Sequence, residues 1–259
     1  MMLESLRRRP LLTYFVLAFV LAWLFWIPMA IYPESSIQFF ILKRVGNIWP
    51  SVVGIALTGL FAGRAGLREM FDRLVRVRVP PVWYAVTLLL YPLLQLVAAG
   101  APGLFGLARI AFPGVGLLDV FGALLWASLG EEFGWRGFAL PRMQGRQQAL
   151  AASLLLGVIW GFWHLPMKIA EGNSLPIFLW FVMVGPLPNS MLMAWIYNNA
   201  KGSLFLMILF HVMIDLTIVT GNSIASAVVY GVLIWAIVAA VVVFTRPATL
   251  TRTATAASA

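Results

Sequence analysis

Long apolar stretches dominate this chain and restrict what it can fold into. A helix that crosses a bilayer needs roughly 20 mostly apolar residues, and the 259-residue sequence offers eight candidates. With 62% hydrophobic and 10% charged residues, the composition is that of a polytopic helical membrane protein and excludes a soluble domain. The predicted spans are residues 11–33, 47–63, 82–104, 114–140, 149–167, 176–198, 203–220 and 223–245.

The basic residues lie at the ends of these stretches and predict an orientation. With the N-terminus inside, the cytoplasmic segments hold 13 Lys and Arg residues, and the outer segments hold four, namely Lys43, Arg44, Arg109 and Lys168. Cytoplasmic loops of membrane proteins carry such an excess. We therefore predict an all-α transmembrane helical bundle of about eight spanning helices with both termini in the cytoplasm. Because the net charge of +9 is spread over these loops, it does not indicate nucleic-acid binding.

The sequence predicts one domain, residues 1–245, with its polar motifs between 114 and 220. The basic N-terminus resembles a signal peptide, but the apolar run 11–32 is too long and no small-x-small site follows it, so we expect an uncleaved first span.

Residues 64–78 have apolar residues at helical spacing and predict an amphipathic helix on the inner leaflet. The Thr- and Ala-rich residues 246–259 predict a disordered cytoplasmic tail. The absence of Cys excludes thiolate metal sites and a cysteine nucleophile.

Two adjacent carboxylates lie in the fourth predicted span, although the chain has only nine acidic residues in all. Residues four apart share a helix face, so Glu132 and Arg136 are expected to form an ion pair that lowers the cost of burying both. Glu131 points about 100° away and lacks such a partner, which suits it to accept a proton as a general base. The alternative is a packing cluster of two carboxylates and one arginine between helices.

The two histidines of the chain fall in two other predicted spans. Trp160 lies one turn before His164, and Asp215 lies one turn after His211, so each pair shares a helix face. A carboxylate at that spacing can fix the tautomer of an imidazole. Either histidine could instead be structural, with its hydrogen bonds satisfied in the core. Asp119, near the outer start of the fourth span, has no evident partner and suits a structural or pore-rim role.

Taken in order, the motifs Glu-Glu-x-x-x-Arg, aromatic-x-x-x-His and His-x-x-x-Asp on successive spans resemble those of the CPBP family. This family, also called ABI, contains the CAAX proteases, with the type II CAAX prenyl endopeptidases among them, and bacteriocin-processing or bacteriocin-immunity membrane proteins. The resemblance covers residues 131–215 and implies proteolysis within the membrane. It implies the catalytic residues Glu131, His164, His211 and Asp215, and the supporting residues Glu132, Arg136 and Trp160.

Two positions depart from the pattern of the prenyl endopeptidases. Trp160 stands where the family usually has Phe, and Asp215 stands where these enzymes have Asn. An Asn side chain donates a hydrogen bond, whereas an ionised Asp cannot. The resemblance therefore implies that His211, oriented by Asp215, stabilises the oxyanion, while Glu131 and His164 hold and deprotonate the water.

The sequence leaves the cofactor and rival functions open. Glu131, His164 and His211 could hold zinc with one open position, yet the HExxH signature is missing and similar family members act as metal-free glutamate proteases, so we expect either no cofactor or zinc. The expected partners are the lipid bilayer and a peptide or protein substrate, prenylated or membrane-embedded, at a prokaryotic cell membrane. The alternatives are a non-catalytic bacteriocin-immunity or scaffold protein and a proton-coupled transporter, which the lack of an internal repeat disfavours.

Overall fold

The computed structural model describes residues 2–216, 219–221 and 223–252, and most of them are helical. Two short strands, β1 (Ile110–Ala111) and β2 (Thr220–Gly221), pair antiparallel. The predicted all-α membrane bundle is confirmed. In chain order the helices are α1 (Met2–Arg8), α2 (Pro10–Met29), α3 (Ile37–Asn47), α4 (Trp49–Leu74), α5 (Pro81–Leu104), a composite α6 (117–144), α7 (Ala149–Trp163), α8 (Leu165–Ala170), α9 (Leu175–Val184), α10 (Pro186–Asn199), α11 (Leu204–Asp215) and α12 (Ile224–Phe244).

Six helical runs in the described part of the chain are long and apolar enough to cross a membrane, against eight predicted spans. The other two predicted spans are α6, which is built from short segments, and α11, which has only 12 residues. These two helices carry the motif carboxylates and His211, and the bundle encloses much of both. The six runs are Pro10–Met29, Ile37–Leu74, Pro81–Leu104, Ala149–Ala170, Leu175–Asn199 and Ile224–Phe244.

Helix α6 alternates between α-helical and π-helical geometry. Every residue from Gly130 to Leu140 is buried, and Gly134 and Gly137, which are plausible bend positions in the sequence, both lie in the second π-helical segment. Such segments are rare and occur frequently at functional sites. The segments are the α-helix Leu117–Gly122, the π-helix Ala123–Ser128, the α-helix Leu129–Glu132, the π-helix Phe133–Ala139 and the α-helix Leu140–Gln144.

Loops and helix termini gather at two ends of the bundle. At the first, the Ser203 hydroxyl donates to the Arg76 carbonyl at 2.8 Å, and the Leu150 N–H donates to the Pro247 carbonyl at 3.0 Å. We call this the arginine end, formed by residues 2–9, 63–80, 142–150, 197–203 and 245–252. At the second, β1 pairs with β2. We call this the strand end, formed by residues 30–44, 105–119, 165–174 and 215–223 apart from the three that the structure does not describe.

The predicted amphipathic helix is the last part of α4, and it ends at Leu74 rather than at residue 78. Gly63 interrupts α4 with φ 61° and ψ −156°, a left-handed conformation that glycine adopts without a steric penalty. Beyond this break Met70 is buried, Phe71 is exposed, and Arg73 donates to the Tyr197 hydroxyl at 3.1 Å. The segment therefore lies across the arginine end as an arm.

The structure differs from the predicted disordered tail over residues 246–252. Arg246 forms an antiparallel bridge with Thr251, and the Ala149 N–H donates to the Ala248 carbonyl at 2.9 Å. Leu250 is 1% exposed. Buried backbone groups need hydrogen-bond partners, and this turn satisfies those at the start of α7. Residues 253–259 lie outside the described residues.

Glycines let α4 and α6 approach until their backbones touch. A Cβ atom built on Gly54 would lie 2.8 Å from the Gly134 Cα, and one built on Gly134 would overlap the Pro50 carbonyl oxygen and the Tyr14 hydroxyl. Small residues allow this close packing of membrane helices. The contact lies one turn from the two carboxylates, so it fixes their position relative to α4.

We predict that Gly134→Ala destabilises the protein by about 1–3 kcal/mol, because the added methyl group meets backbone atoms that cannot move aside. Gly137→Ala is the matched control in the same π segment, since its Cβ would meet its nearest atoms at 3.5 Å. Thermal unfolding of the purified full chain in detergent measures both. Equal unfolding midpoints for the two variants would contradict the close approach.

Candidate active site

Glu131 is buried between two indole rings. Trp135 Nε1–H donates to Glu131 Oε2 at 3.0 Å, and Trp160 Nε1–H donates to the same oxygen at 2.6 Å. No Lys, Arg or His lies within ion-pair distance of Glu131 among the described residues. The expectation that Glu131 has no local partner is wrong, because Trp135 lies four residues later on the same helix and donates a hydrogen bond to it. The other oxygen, Oε1, remains available for chemistry.

Glu132 points away from Glu131, and its carboxylate contacts the side chains of Arg136 and His211. Arg136 Nη1 donates to Glu132 Oε1 at 2.9 Å, which confirms the predicted ion pair. His211 Nδ1 lies 2.7 Å from the same oxygen. Both members of the ion pair are fully buried. Glu132 therefore joins α6 to α11 and orients the His211 ring, a contact that the sequence analysis did not foresee.

The expected pairing of His211 with Asp215 is looser than predicted. His211 Nε2 lies 3.9 Å from Asp215 Oδ2, which is too far for a hydrogen bond. Because Glu132 occupies Nδ1, the ring is oriented by Glu132, and Asp215 faces the opposite nitrogen. The Asp215 side chain is 33% exposed, whereas His211 is buried.

His164 lies between α7 and α8, where the chain turns at the following Leu-Pro pair. Its Nδ1 is 2.8 Å from the Trp160 carbonyl oxygen. A carbonyl only accepts hydrogen bonds, so Nδ1 carries a proton, and in the neutral ring Nε2 then keeps its lone pair. The ring packs against Trp26, Trp163 and Phe181, which fixes its orientation. The Nε2 atom has no hydrogen-bond partner among the described residues.

Trp160 contacts four of the other buried motif residues. Its indole N–H binds Glu131, its carbonyl binds His164, and the Arg136 guanidinium lies 4.5 Å from its ring centroid. Its ring also packs edge-on against His211, with centroids 5.4 Å apart. The sequence analysis assigned Trp160 only a supporting place one turn before His164. The structure makes it the residue that connects α6, α7 and α11.

A cavity of about 650 Å³ reaches from these residues to the strand end. Glu131, His164 and His211 line its inner part. Asp119 lines the same cavity and accepts a hydrogen bond from the Gly116 N–H at 2.9 Å, so it caps the start of α6 at the rim. Its lining toward the strand end includes the charged side chains of Lys43, Arg44, Asp119, Lys168 and Glu171.

Asn189 is a further polar residue of the cavity wall that the sequence analysis missed. It is 1% exposed and lines the cavity from α10, and the Tyr91 hydroxyl donates to its Oδ1. Tyr230 in turn donates to the Tyr91 hydroxyl at 3.3 Å. A polar side chain within an apolar stretch is a functional candidate in a membrane protein, and that signal could have identified Asn189.

The described side chains do not fit the zinc site considered for Glu131, His164 and His211. A catalytic zinc needs about three protein ligands within roughly 2.3 Å of one point. No group of three or more His, Cys, Asp or Glu in the described part of the chain is placed to hold a metal ion. The arrangement instead leaves one carboxylate oxygen and one imidazole nitrogen able to bind a water molecule.

We predict that Arg136→Ala lowers stability by about 3–5 kcal/mol, because it leaves Glu132 as a buried charge without its cation. The exposed Arg146→Ala at the arginine end is the control and should leave the unfolding midpoint unchanged. Thermal unfolding in detergent measures this, and peptide cleavage is assayed in parallel. An unchanged midpoint with lost cleavage would instead place Arg136 among the groups that contact substrate.

Comparison with known proteins agrees with the motifs. Residues 113–217 match the family model described as type II CAAX prenyl endopeptidase Rce1-like. That interval includes every motif residue from Glu131 to Asp215. The chain is also 25% identical over 233 residues to CAAX prenyl protease 2 of Methanococcus maripaludis. This alignment covers 83% of this chain and 86% of that protein. These matches confirm the predicted resemblance to the type II CAAX prenyl endopeptidases.

Proposed function

We propose that this multi-pass membrane protein is an intramembrane endopeptidase of the CAAX-protease type that hydrolyses a peptide bond with an activated water. The observation that carries this proposal is that Trp160 binds both Glu131, through its indole N–H, and His164, through its carbonyl oxygen. Glu131 and His164 line the same cavity. The Rce1-like match and the name of the archaeal relative support protease activity. The same relative supports a location in a prokaryotic cell membrane.

Water activation is assigned to Glu131 and His164. Glu131 Oε1 and His164 Nε2 each accept a hydrogen bond from one water molecule. Glu131 takes a proton as the water oxygen attacks the carbonyl carbon of the substrate. When the C–N bond breaks, the same proton passes to the leaving amine. The step needs no nucleophilic side chain.

Oxyanion stabilisation is assigned to His211. The Glu132 carboxylate at Nδ1 and the Asp215 carboxylate beyond Nε2 stabilise a positively charged ring. In that state Nε2–H can donate to the negatively charged oxygen of the tetrahedral intermediate. Asp215 is a carboxylate where prenyl endopeptidases have Asn, so the ring rather than residue 215 supplies the donor.

The substrate class is a peptide or protein that is prenylated or embedded in the membrane. The cavity lies within the bundle, and apolar helices surround it, so an apolar anchor would raise the local concentration of substrate at the site. The proposal includes no obligatory cofactor, because the mechanism is complete with the water, one carboxylate and two imidazoles.

We predict that Glu131→Gln reduces peptide cleavage by at least about 100-fold, because the amide retains an acceptor for the indoles but cannot take the proton of water. Cleavage of a fluorogenic peptide panel, with prenylated and unprenylated members, by the purified full chain measures this. Glu69→Gln is the matched control, since Glu69 is an exposed carboxylate on the amphipathic arm. Near wild-type cleavage by Glu131→Gln would refute the mechanism.

Metal removal gives a separate test. We predict that chelator-washed protein keeps its activity and contains negligible zinc by elemental analysis. Excess Zn²⁺ is expected to inhibit, because it competes with water for the free atoms of the carboxylate and the imidazoles. Loss of activity on chelation with recovery on adding Zn²⁺ would show instead that a metal takes part.

A further inference from the structure

Asn189 is a neutral polar side chain in the wall of the catalytic cavity, and it takes no part in the water activation assigned to other residues. It is 1% exposed, and it lines the cavity together with Gly185 and Pro186, four and three residues earlier. Residues at that spacing share one helix face, so this face of α10 forms part of the wall. Glu131 and His211 line the same cavity from α6 and α11. Asn189 therefore faces the same space as the groups assigned to the reaction.

Two tyrosines determine which atom of the Asn189 amide remains free. The Tyr230 hydroxyl donates to the Tyr91 hydroxyl at 3.3 Å, and Tyr91 passes its own hydrogen bond on to Asn189 Oδ1. Tyr91 is buried and packs edge-on against Phe210, the residue before His211, with ring centroids 5.6 Å apart. Because Tyr91 occupies the amide oxygen, the two hydrogens on Nδ2 are left for a ligand, and Nδ2 has no hydrogen-bond partner among the described residues.

The oxyanion of the proposed reaction has only one assigned donor, His211 Nε2–H. Sites that stabilise a tetrahedral intermediate direct preorganised N–H groups at the negatively charged oxygen, and side-chain amides are among them. Other N–H groups of the wall are already engaged, since Trp160 Nε1–H donates to Glu131 and His164 Nδ1–H to a carbonyl. Asn47 also lines the cavity, but its Oδ1 is buried without a partner among the described residues, so no hydrogen bond to that oxygen orients its amide.

We propose that Asn189 is a further catalytic residue, whose Nδ2–H donates a second hydrogen bond to the oxyanion beside that from His211. Tyr91 is then the positioning residue that orients the amide before substrate binds. This inference rests on the proposed protease function. A neutral amide suits the site, because burying it within the bundle costs far less than burying a further cation, and it does not form an ion pair with the carboxylates nearby.

The test removes the donor without leaving a buried hydroxyl unpaired. Asn189→Ala alone would take the acceptor away from the Tyr91 hydroxyl, which is destabilising in a buried position. The informative comparison is therefore between Tyr91→Phe and the double variant Tyr91→Phe/Asn189→Ala, which differ only in the amide. Ser190→Ala is the matched control, because Ser190 is also 1% exposed, lies against Gly157 of α7, and has no hydrogen-bond partner for its hydroxyl among the described residues.

Steady-state cleavage of a fluorogenic peptide by the purified full chain in detergent gives kcat and KM for each variant. The double variant is expected to have a kcat about 100-fold below that of Tyr91→Phe, because one oxyanion donor is lost. Its KM is expected to stay within about twofold, since the hydrogen bond forms in the transition state and not with the bound substrate. Ser190→Ala is expected to match the wild-type protein. Equal kcat values for Tyr91→Phe and the double variant would overturn the inference, as would a loss confined to KM.

A binding measurement separates this inference from the proposed function, because it needs no turnover. The probe is a phosphinic peptide, whose tetrahedral anionic group resembles the oxyanion, and its Kd is expected to be about 100-fold weaker for the double variant than for Tyr91→Phe. Binding that depends on Asn189 in this way, without detectable cleavage of any peptide by the wild-type protein, would refute only the protease function. Cleavage by the wild-type protein, with kcat and probe affinity both insensitive to the Asn189 amide, would refute only the role of Asn189.

Discussion

The buried charge of Arg136 is the constraint on which the rest of the site depends. A guanidinium that is 0% exposed inside a membrane bundle is stable only if an anion and polarisable groups surround it. Glu132 supplies the anion at 2.9 Å, and the face of Trp160 lies 4.5 Å away as a cation–π partner. These two residues then reach His211 and Glu131 respectively. The compensation of one charge therefore determines the positions of the groups assigned to catalysis.

Backbone geometry explains how adjacent glutamates take up different tasks. Glu131 and Glu132 end a short α-helical segment between two π-helical ones, and their side chains diverge toward α7 and α11. The close approach of Gly54 and Gly134 holds this part of α6 against α4. A rigid backbone is needed here, because a shift of the carboxylate by about 1 Å would lower the rate of a proton transfer that depends on hydrogen-bond geometry.

The sequence predicted one local contact, the Glu132–Arg136 ion pair, but it missed the equally local hydrogen bond from Trp135 to Glu131 and the contacts that join distant segments. The Glu132–Arg136 pair follows from helical spacing, whereas the contact of Glu132 with His211 spans 79 positions and depends on how α6 packs on α11. The same reason explains why residues 246–252 are ordered although a disordered tail was predicted. The Ala149 N–H donates to the Ala248 carbonyl, and the Thr- and Ala-rich composition of the tail does not reveal a contact with such a distant segment. The predicted fold class and motif order needed only hydropathy and chain order, and both agree with the structure and the comparisons.

Each of the three groups in the proposed mechanism uses one polar atom for positioning and leaves another for chemistry. Glu131 is held through Oε2, and both imidazoles are held through Nδ1. The held atoms have partners of different kinds, because indole N–H groups hold the carboxylate, a carbonyl holds His164 and a carboxylate holds His211. In neutral His164 the carbonyl partner fixes the tautomer with the proton on Nδ1 and the lone pair on Nε2, whereas the carboxylate at Nδ1 favours a charged His211 whose Nε2–H donates a hydrogen bond. The different roles proposed for the two histidines therefore follow from what binds their Nδ1 atoms.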